Sequence, residues 1–141
     1  MLIADERGVF NLQGWLATRQ DMQFELAAIT VAELLHGLER ASGPHRERRR
    51  AYIDAALAAF RVIPYTLGTA QIHAHLWADL ESSGTTIGYH DLIIAATALE
   101  RGSGVATFKE RHFAMVKGIK VIDPSQDYGQ VRTTLGQSKP A

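Results

Sequence analysis

Apolar positions along the chain keep two alternating rhythms. Short β-branched runs of strand type fall at Leu26–Val31, Arg61–Tyr65, Gly104–Thr107 and Ile119–Ile122. Between them the spacing is helical. Val9–Arg19 carries Phe10, Trp15 and Leu16, and Ala32–Arg40 carries Leu34, Leu35 and Leu38. Arg46–Phe60 repeats Tyr52, Ala56 and Phe60 four apart with Ile53 and Leu57 beside them, and Thr69–Ser83 repeats Ile72, Leu76 and Leu80. His90–Arg101 is apolar nearly all round, which predicts a buried helix. Gly102 stands where a left-handed residue would close it. Strands alternating with helices predict an α/β sandwich with a mostly parallel sheet. In such folds the polar groups that do chemistry gather at the carboxyl ends of the strands.

Length and composition narrow the class. The 141 residues suit one domain, expected over residues 1–124, followed by a polar tail over 125–141. With 46% hydrophobic and 21% charged residues, neither a disordered nor a fibrous chain fits. No apolar run approaches the ~18–20 residues a membrane span needs. The N-terminus shows no basic stretch leading into an apolar one, so no secretory signal is expected and a cytoplasmic location is. Zero cysteines exclude disulfides, thiolate zinc sites and cysteine nucleophiles. Fifteen basic residues balance fifteen acidic ones, yet neutrality overall does not exclude a nucleic-acid partner, because binding follows local patches. The one dense basic run, His45-Arg46-Glu47-Arg48-Arg49-Arg50, has two readings: the solvated start of a helix, or a hold on RNA phosphates.

Several familiar sites are absent from the sequence: no nucleophile elbow, no phosphate loop and no H-E-x-x-H. His73 and His75 point roughly 200° apart on a helix, so they cannot share a metal from one face. Two carboxylates stand out by position. Glu33 follows the first strand run, and Asp91 heads the buried helix. Each has a structural reading as an acid in a first helical turn, and Thr30-Val31-Ala32-Glu33 also fits a capping box. Their combination has a chemical reading. Carboxylates converging on one pocket repel unless neutralised, and a hard divalent cation neutralises them. Such an ion suits phosphodiester hydrolysis.

At these residues the sequence resembles the PIN-domain ribonucleases, in particular the VapC-type toxins of toxin–antitoxin pairs. Ala28 to Gly37 (AITVAELLHG) resembles the family's second acidic motif, and Gly84 to Leu99 (GTTIGYHDLIIAATAL) its third. Val105-Ala106-Thr107, then His112-Phe113 and Lys117-Gly118-Ile119, resemble the C-terminal motif. The resemblance spans roughly residues 2–123. It implies a PIN-like three-layer sandwich, Mg²⁺ or Mn²⁺ held by Glu33 and Asp91 as catalytic acids, and endonucleolytic cleavage of RNA. It also implies a homodimer and a VapB-like antitoxin whose C-terminal segment covers the active site. Thr107 carries over as the polar neighbour of the metal site.

Two departures from the family pattern matter. Family members open with a short central strand ending in Asp-Thr or Asp-Ser, whose aspartate is the first metal ligand. Here Met1-Leu2-Ile3-Ala4-Asp5 resembles the stretch just downstream of that motif, and Asp5 matches a later, helical position. The expectation is a start misplaced at a GTG valine codon, written as Met1, with the strand lying upstream. Without that strand, its neighbours leave buried backbone groups unpaired at ~1–3 kcal/mol each. The second departure is Lys109, which stands where the family usually has Asp or Asn. A protonated lysine cannot ligate Mg²⁺, but it can pair with Glu33 or Asp91 or touch a phosphate. Adjacent Glu110 points ~100° away along a helical turn. Two rival readings remain: a nuclease-inactive PIN domain that binds antitoxin or RNA, and an unrelated α/β interaction domain that uses its acids only as caps. The last predicts no pocket shared by Glu33 and Asp91.

Overall fold

The structure is a computed structural model that describes residues 1–8 and 10–126. Of the expected polar tail, only Ser125 and Gln126 fall within the described residues. The elements run α1 (Leu2–Glu6), α2 (Leu12–Ala17), β1 (Glu25–Ala27), α3 (Ala28–Glu39), α4 (Gly43–Ala59), β2 (Arg61–Ile63), α5 (Leu67–Ser82), α6 (Tyr89–Arg101), β3 (Val105–Ala106), α7 (Glu110–Phe113) and β4 (Val121–Ile122).

Every strand pairing among these residues is parallel, as the alternation of strands and helices predicts. The sheet, however, comes in two pieces, β1 with β2 and β3 with β4. The strands are shorter than the β-branched runs. Ala27 pairs with Ile63, and the next residue of β2's chain is Pro64, which has no N–H to continue a ladder. The expected strand Leu26–Val31 is therefore corrected: the backbone turns helical at Ala28, and Leu34 and Leu38 bury one face of α3 against Ile53. Local β preference in Ile29, Thr30 and Val31 yields to that packing.

The two faces of the β3–β4 piece explain the layering. Val105 and Val121 pack into the cluster built by α5, α6 and α7, which includes Leu76, Leu92, Ala95 and Phe113. Ala106 and Ile122, the next residues along each strand, join Phe10, Leu12 and Trp15 on the opposite face. Alternation along a strand thus puts helices on both sides of the sheet. Helix α6 is the central helix, in contact with α3, α5, α7, β1 and β3. Its small Ala95 and Ala96 are fully buried, which lets its neighbours approach closely. It ends on Gly102 at φ 65°, the left-handed closure its sequence predicts. Helix α4 begins at Gly43, with Pro44 in its first turn, ahead of the expected Arg46.

Between the two sheet pieces lies a groove of about 490 Å³. Leu26, Ala27 and Ile63 wall one side, and Val105, Ala106 and Ile122 wall the other. Among the described residues β1 has only β2 as a strand partner and β3 only β4, so both groove-facing edges lack a ladder. Asp5 fixes the chain beside this groove: its carboxylate accepts from the Leu12 N–H at 2.9 Å and from the Tyr52 hydroxyl at 2.6 Å. Burial and that carboxylate together push the Tyr52 phenol above its ordinary range.

Candidate active site

Glu33 and Asp91 line the same groove, at the end reached by the residues that come after β1 and β3. Helix α3 delivers Glu33 a turn and a half after β1, and α6 delivers Asp91 in its first turn. The shared pocket overturns the reading of these acids as unrelated caps. For Glu33 the capping box is itself corrected. Helix α3 starts at Ala28 with Ala27 at its N-cap and no side-chain cap, so Glu33 lies beyond the first turn. For Asp91 the first-turn position holds, next to the N-cap Gly88, and the acid gains from the helix macrodipole.

Each carboxylate has cationic or imidazole partners. Asp91 keeps only 11% of its side chain exposed; Lys109 Nζ stands 3.4 Å from its Oδ2 and 3.5 Å from Oδ1. His112 Nδ1 lies 3.4 Å from the same Oδ2. Glu33 is more open, with its Oε1 3.2 Å from His90 Nδ1. Thr107 Oγ1 accepts the Lys109 backbone N–H at 3.0 Å, which leaves the threonine hydroxyl proton free for another acceptor. The Met1 amine shares this end of the groove. Burial holds it below its ordinary value, the Lys109 charge lowers it further, and Glu33 opposes both.

Of the sequence-predicted residues, the structure brings together Glu33, Asp91, Thr107 and Lys109 on one cavity. Lys109 pairs with Asp91, one of the roles open to it. Glu110 turns away, as helical spacing requires, and accepts from Gln126 Nε2 at 3.3 Å. His73 and His75 part company: His73 is buried against Tyr65 and Trp77, whereas His75 stands exposed beside Asp79. Sequence reasoning assigned no role to His90 and His112. The signal was present in both. His112 lies three residues after Lys109, the spacing that puts side chains on one helical face, and His90 directly precedes Asp91.

Two carboxylates facing one cavity are the right donors in kind for a hard divalent cation. They are short in number: among the described residues no group of three His, Cys, Asp or Glu side chains is placed to hold a metal. The Lys109 ammonium, a monovalent cation on a tether, meets part of Asp91's need for positive charge.

The PIN-domain family model matches residues 3–119. A VapC ribonuclease of Sinorhizobium fredii is 37% identical over 117 residues, 78% of this chain and 81% of its own. The tRNA(fMet)-specific endonuclease VapC of Salmonella typhimurium is 32% identical over 98 residues, 70% of this chain and 73% of its own. Among solved structures, the DNA-bound VapBC of Salmonella typhimurium superposes with a TM-score of 0.75 at 26% identity, covering 86% of this chain and 91% of that one. The VapBC2 of Rickettsia felis, bound to a promoter DNA fragment, shares the fold at a TM-score of 0.76 and 18% identity, over 85% of this chain and 90% of that one. By family match and by identity, the chain belongs to the PIN-domain family, among its VapC ribonucleases.

Proposed function

We propose that this protein is a metal-dependent endoribonuclease of the VapC type, a toxin that cleaves RNA and is restrained by a cognate VapB-like antitoxin. The observation that carries this reading is the meeting of Glu33 and Asp91 on one cavity beyond the ends of parallel strands. The VapC relatives named for ribonuclease and tRNA(fMet) endonuclease activity support the RNA substrate. The VapBC complexes among the structural neighbours support the antitoxin.

Glu33 and Asp91 would hold Mg²⁺ or Mn²⁺, which supplies a bound water of lowered pKa and neutralises charge at the phosphodiester. The chain's own residues do the rest. His90 and His112 orient the two carboxylates from outside, as partners of ligating groups do. Lys109 would turn its ammonium from Asp91 to a non-bridging phosphate oxygen, and the Thr107 hydroxyl would donate beside it. Water adds to phosphorus in line with the leaving ribose oxygen, which departs with a proton. As a toxin of this kind the protein works in the cytoplasm as a homodimer. Residues 1–124 form its one domain, and the antitoxin's C-terminal segment lies over the active site.

The test is RNA cleavage by purified protein with Mg²⁺, with Mn²⁺ and with chelator. Asp91→Ala and Glu33→Gln should each lose about a hundredfold or more in rate while circular dichroism shows an unchanged fold. Cleavage by Asp91→Ala at the parent rate sinks the assignment.

The contact between Lys109 and Asp91 favours a second reading, a PIN domain that binds antitoxin or RNA without cutting. The two part on one comparison. If Lys109→Asn gains metal-dependent cleavage that the parent lacks, the parent is the binding module.

A further inference from the structure

A second depression, of about 790 Å³, adjoins the active site between α3 and the start of α4. Glu33 lines both. From Glu33 the face of α3 continues through His36, Gly37 and Arg40, spaced three, four and seven residues on, which is one side of a helix. That stretch covers about 10 Å along the axis. His45 faces it from the start of α4, and Arg49, Arg7 and His90 complete the lining.

The charges there are one-sided. Among the described residues, Glu33 is the only acid that lines the depression, against three arginines and three histidines. Arg49 is already committed, its Nη2 3.2 Å from Glu6 Oε2. It forms the floor: a Cβ built on Gly37 would fall 2.6 Å from Arg49 Nη1, so the absent side chain is what lets the guanidinium lie across α3. The side chains of Arg7, His36, Arg40 and His45 are exposed and, among the described residues, make no hydrogen bond or ion pair. The chain as a whole is neutral, so this local excess is not the spillover of a basic protein.

Guanidinium and imidazole N–H groups that converge on a cleft, with a single acid at its active-site end, fit a polyanion. We propose that this cleft seats the phosphates of the nucleotides adjoining the scissile one, so that a single-stranded RNA lies along α3 from Glu33 toward Arg40. This rests on the nuclease reading for its polarity about Glu33, and it assigns backbone contact rather than base recognition. The dense basic run thereby divides. His45 faces the cleft, Arg46 donates to the Leu38 carbonyl, Arg49 builds the floor, and Arg48 and Arg50 are exposed outside it.

The experiment measures binding of a labelled single-stranded dodecaribonucleotide and of a diribonucleotide, in parallel with metal-dependent cleavage. The variants are Arg40→Ala/His45→Ala and, as a control on α4 that removes at least as much positive charge outside the cleft, Arg48→Ala/Arg50→Ala. All four positions are exposed, so the fold is expected to persist by circular dichroism. In the cleft variant, dodecamer binding should weaken about tenfold or more. The slope of log Kd against log salt should fall by about 0.7 for each phosphate that the variant no longer neutralises. Diribonucleotide binding and kcat should stay as in the parent, and KM for the long substrate should rise. Unchanged dodecamer binding and slope overturn the proposal, as does an equal weakening in the Arg48/Arg50 control. If the parent never cuts RNA yet the cleft variant still binds the dodecamer more weakly, the cleft stands and the nuclease reading falls.

Discussion

The two regions on either side of the β3–β4 piece obey different rules of construction. Around α6 and the β3–β4 piece, side chains close on one another until Ala95 and Ala96 have no exposure and Phe113 has 1%. Toward β1, the neighbouring edge faces a groove of about 490 Å³ with no strand in it among the described residues. The first region is held by packing, which is short-ranged and unforgiving. The second is held by two separate ladders and by the groups that Asp5 ties together. The candidate site lies in the second region, at the loose seam. Glu33 reaches it from α3, Asp91 from α6, and Thr107 and Lys109 from the stretch after β3, so the spacing of these elements sets the spacing of the site.

The difference can be broken or sharpened by mutation, and the largest effect belongs to the packed side. Phe113→Ala removes a buried ring from the α6 cluster and should cost about 3–5 kcal/mol in a urea melt. A cost under about 1 kcal/mol would mean that this side is no better packed than the seam.

Next comes filling the groove. Met1 lines it at the end of Glu33 and Asp91, so residues fused ahead of Met1 can enter it running parallel to β1 and β3. An added segment of about five apolar, β-branched residues should raise stability by about 2 kcal/mol or more, because each buried backbone pair it completes removes a penalty of about 1–3 kcal/mol. A proline at its middle should abolish the gain. Equal stability with and without the proline would show that the groove does not take a strand.

Leu26→Ala, on the groove wall, should cost only about 2 kcal/mol, the low end for a core leucine, since the site is open enough to relax. A cost equal to that of Phe113→Ala would erase the contrast between the regions.

The smallest effect is in pH. Burial holds the Met1 amine below its ordinary value of 8.0. Between the lowered value and the ordinary one, the unfolded chain binds more protons than the folded one, so this group makes stability rise with pH across that window. N-terminal acetylation should remove that part of the slope in melts taken at about pH 6 and about pH 8.

Periodicity made the helical scaffold legible. His90–Arg101 reads as a buried helix because its apolar residues leave no polar face, and Gly102 reads as its end because no side chain need be carried through a positive φ. The strands were legible in place but not in length. Nothing local in Ile29-Thr30-Val31 says that the partner strand has run into Pro64. The acids could be found by position, and a capping box at Thr30 and Glu33 was a fair local reading that long-range pairing undid. His90 and His112 carry only a weak local signal, one beside Asp91 and the other three residues after Lys109, because their contacts run across elements, between α6 and α3 and between α7 and α6.

Asp5 carries a consequence for how the molecule comes apart. One carboxylate joins the end of α1, the start of α2 and Tyr52 on α4. Nearby, Glu6 meets Arg49. Cutting the first of these ties with Asp5→Ala leaves α1, a helix of only five residues, held by the packing of Leu2 and by the Glu6–Arg49 pair. The chain up to Arg7 would then detach before the remainder unfolds, and a protease that cleaves after arginine would find Arg7 early. Limited trypsin digestion of that variant should nick the chain there while the α5–α6 region still resists.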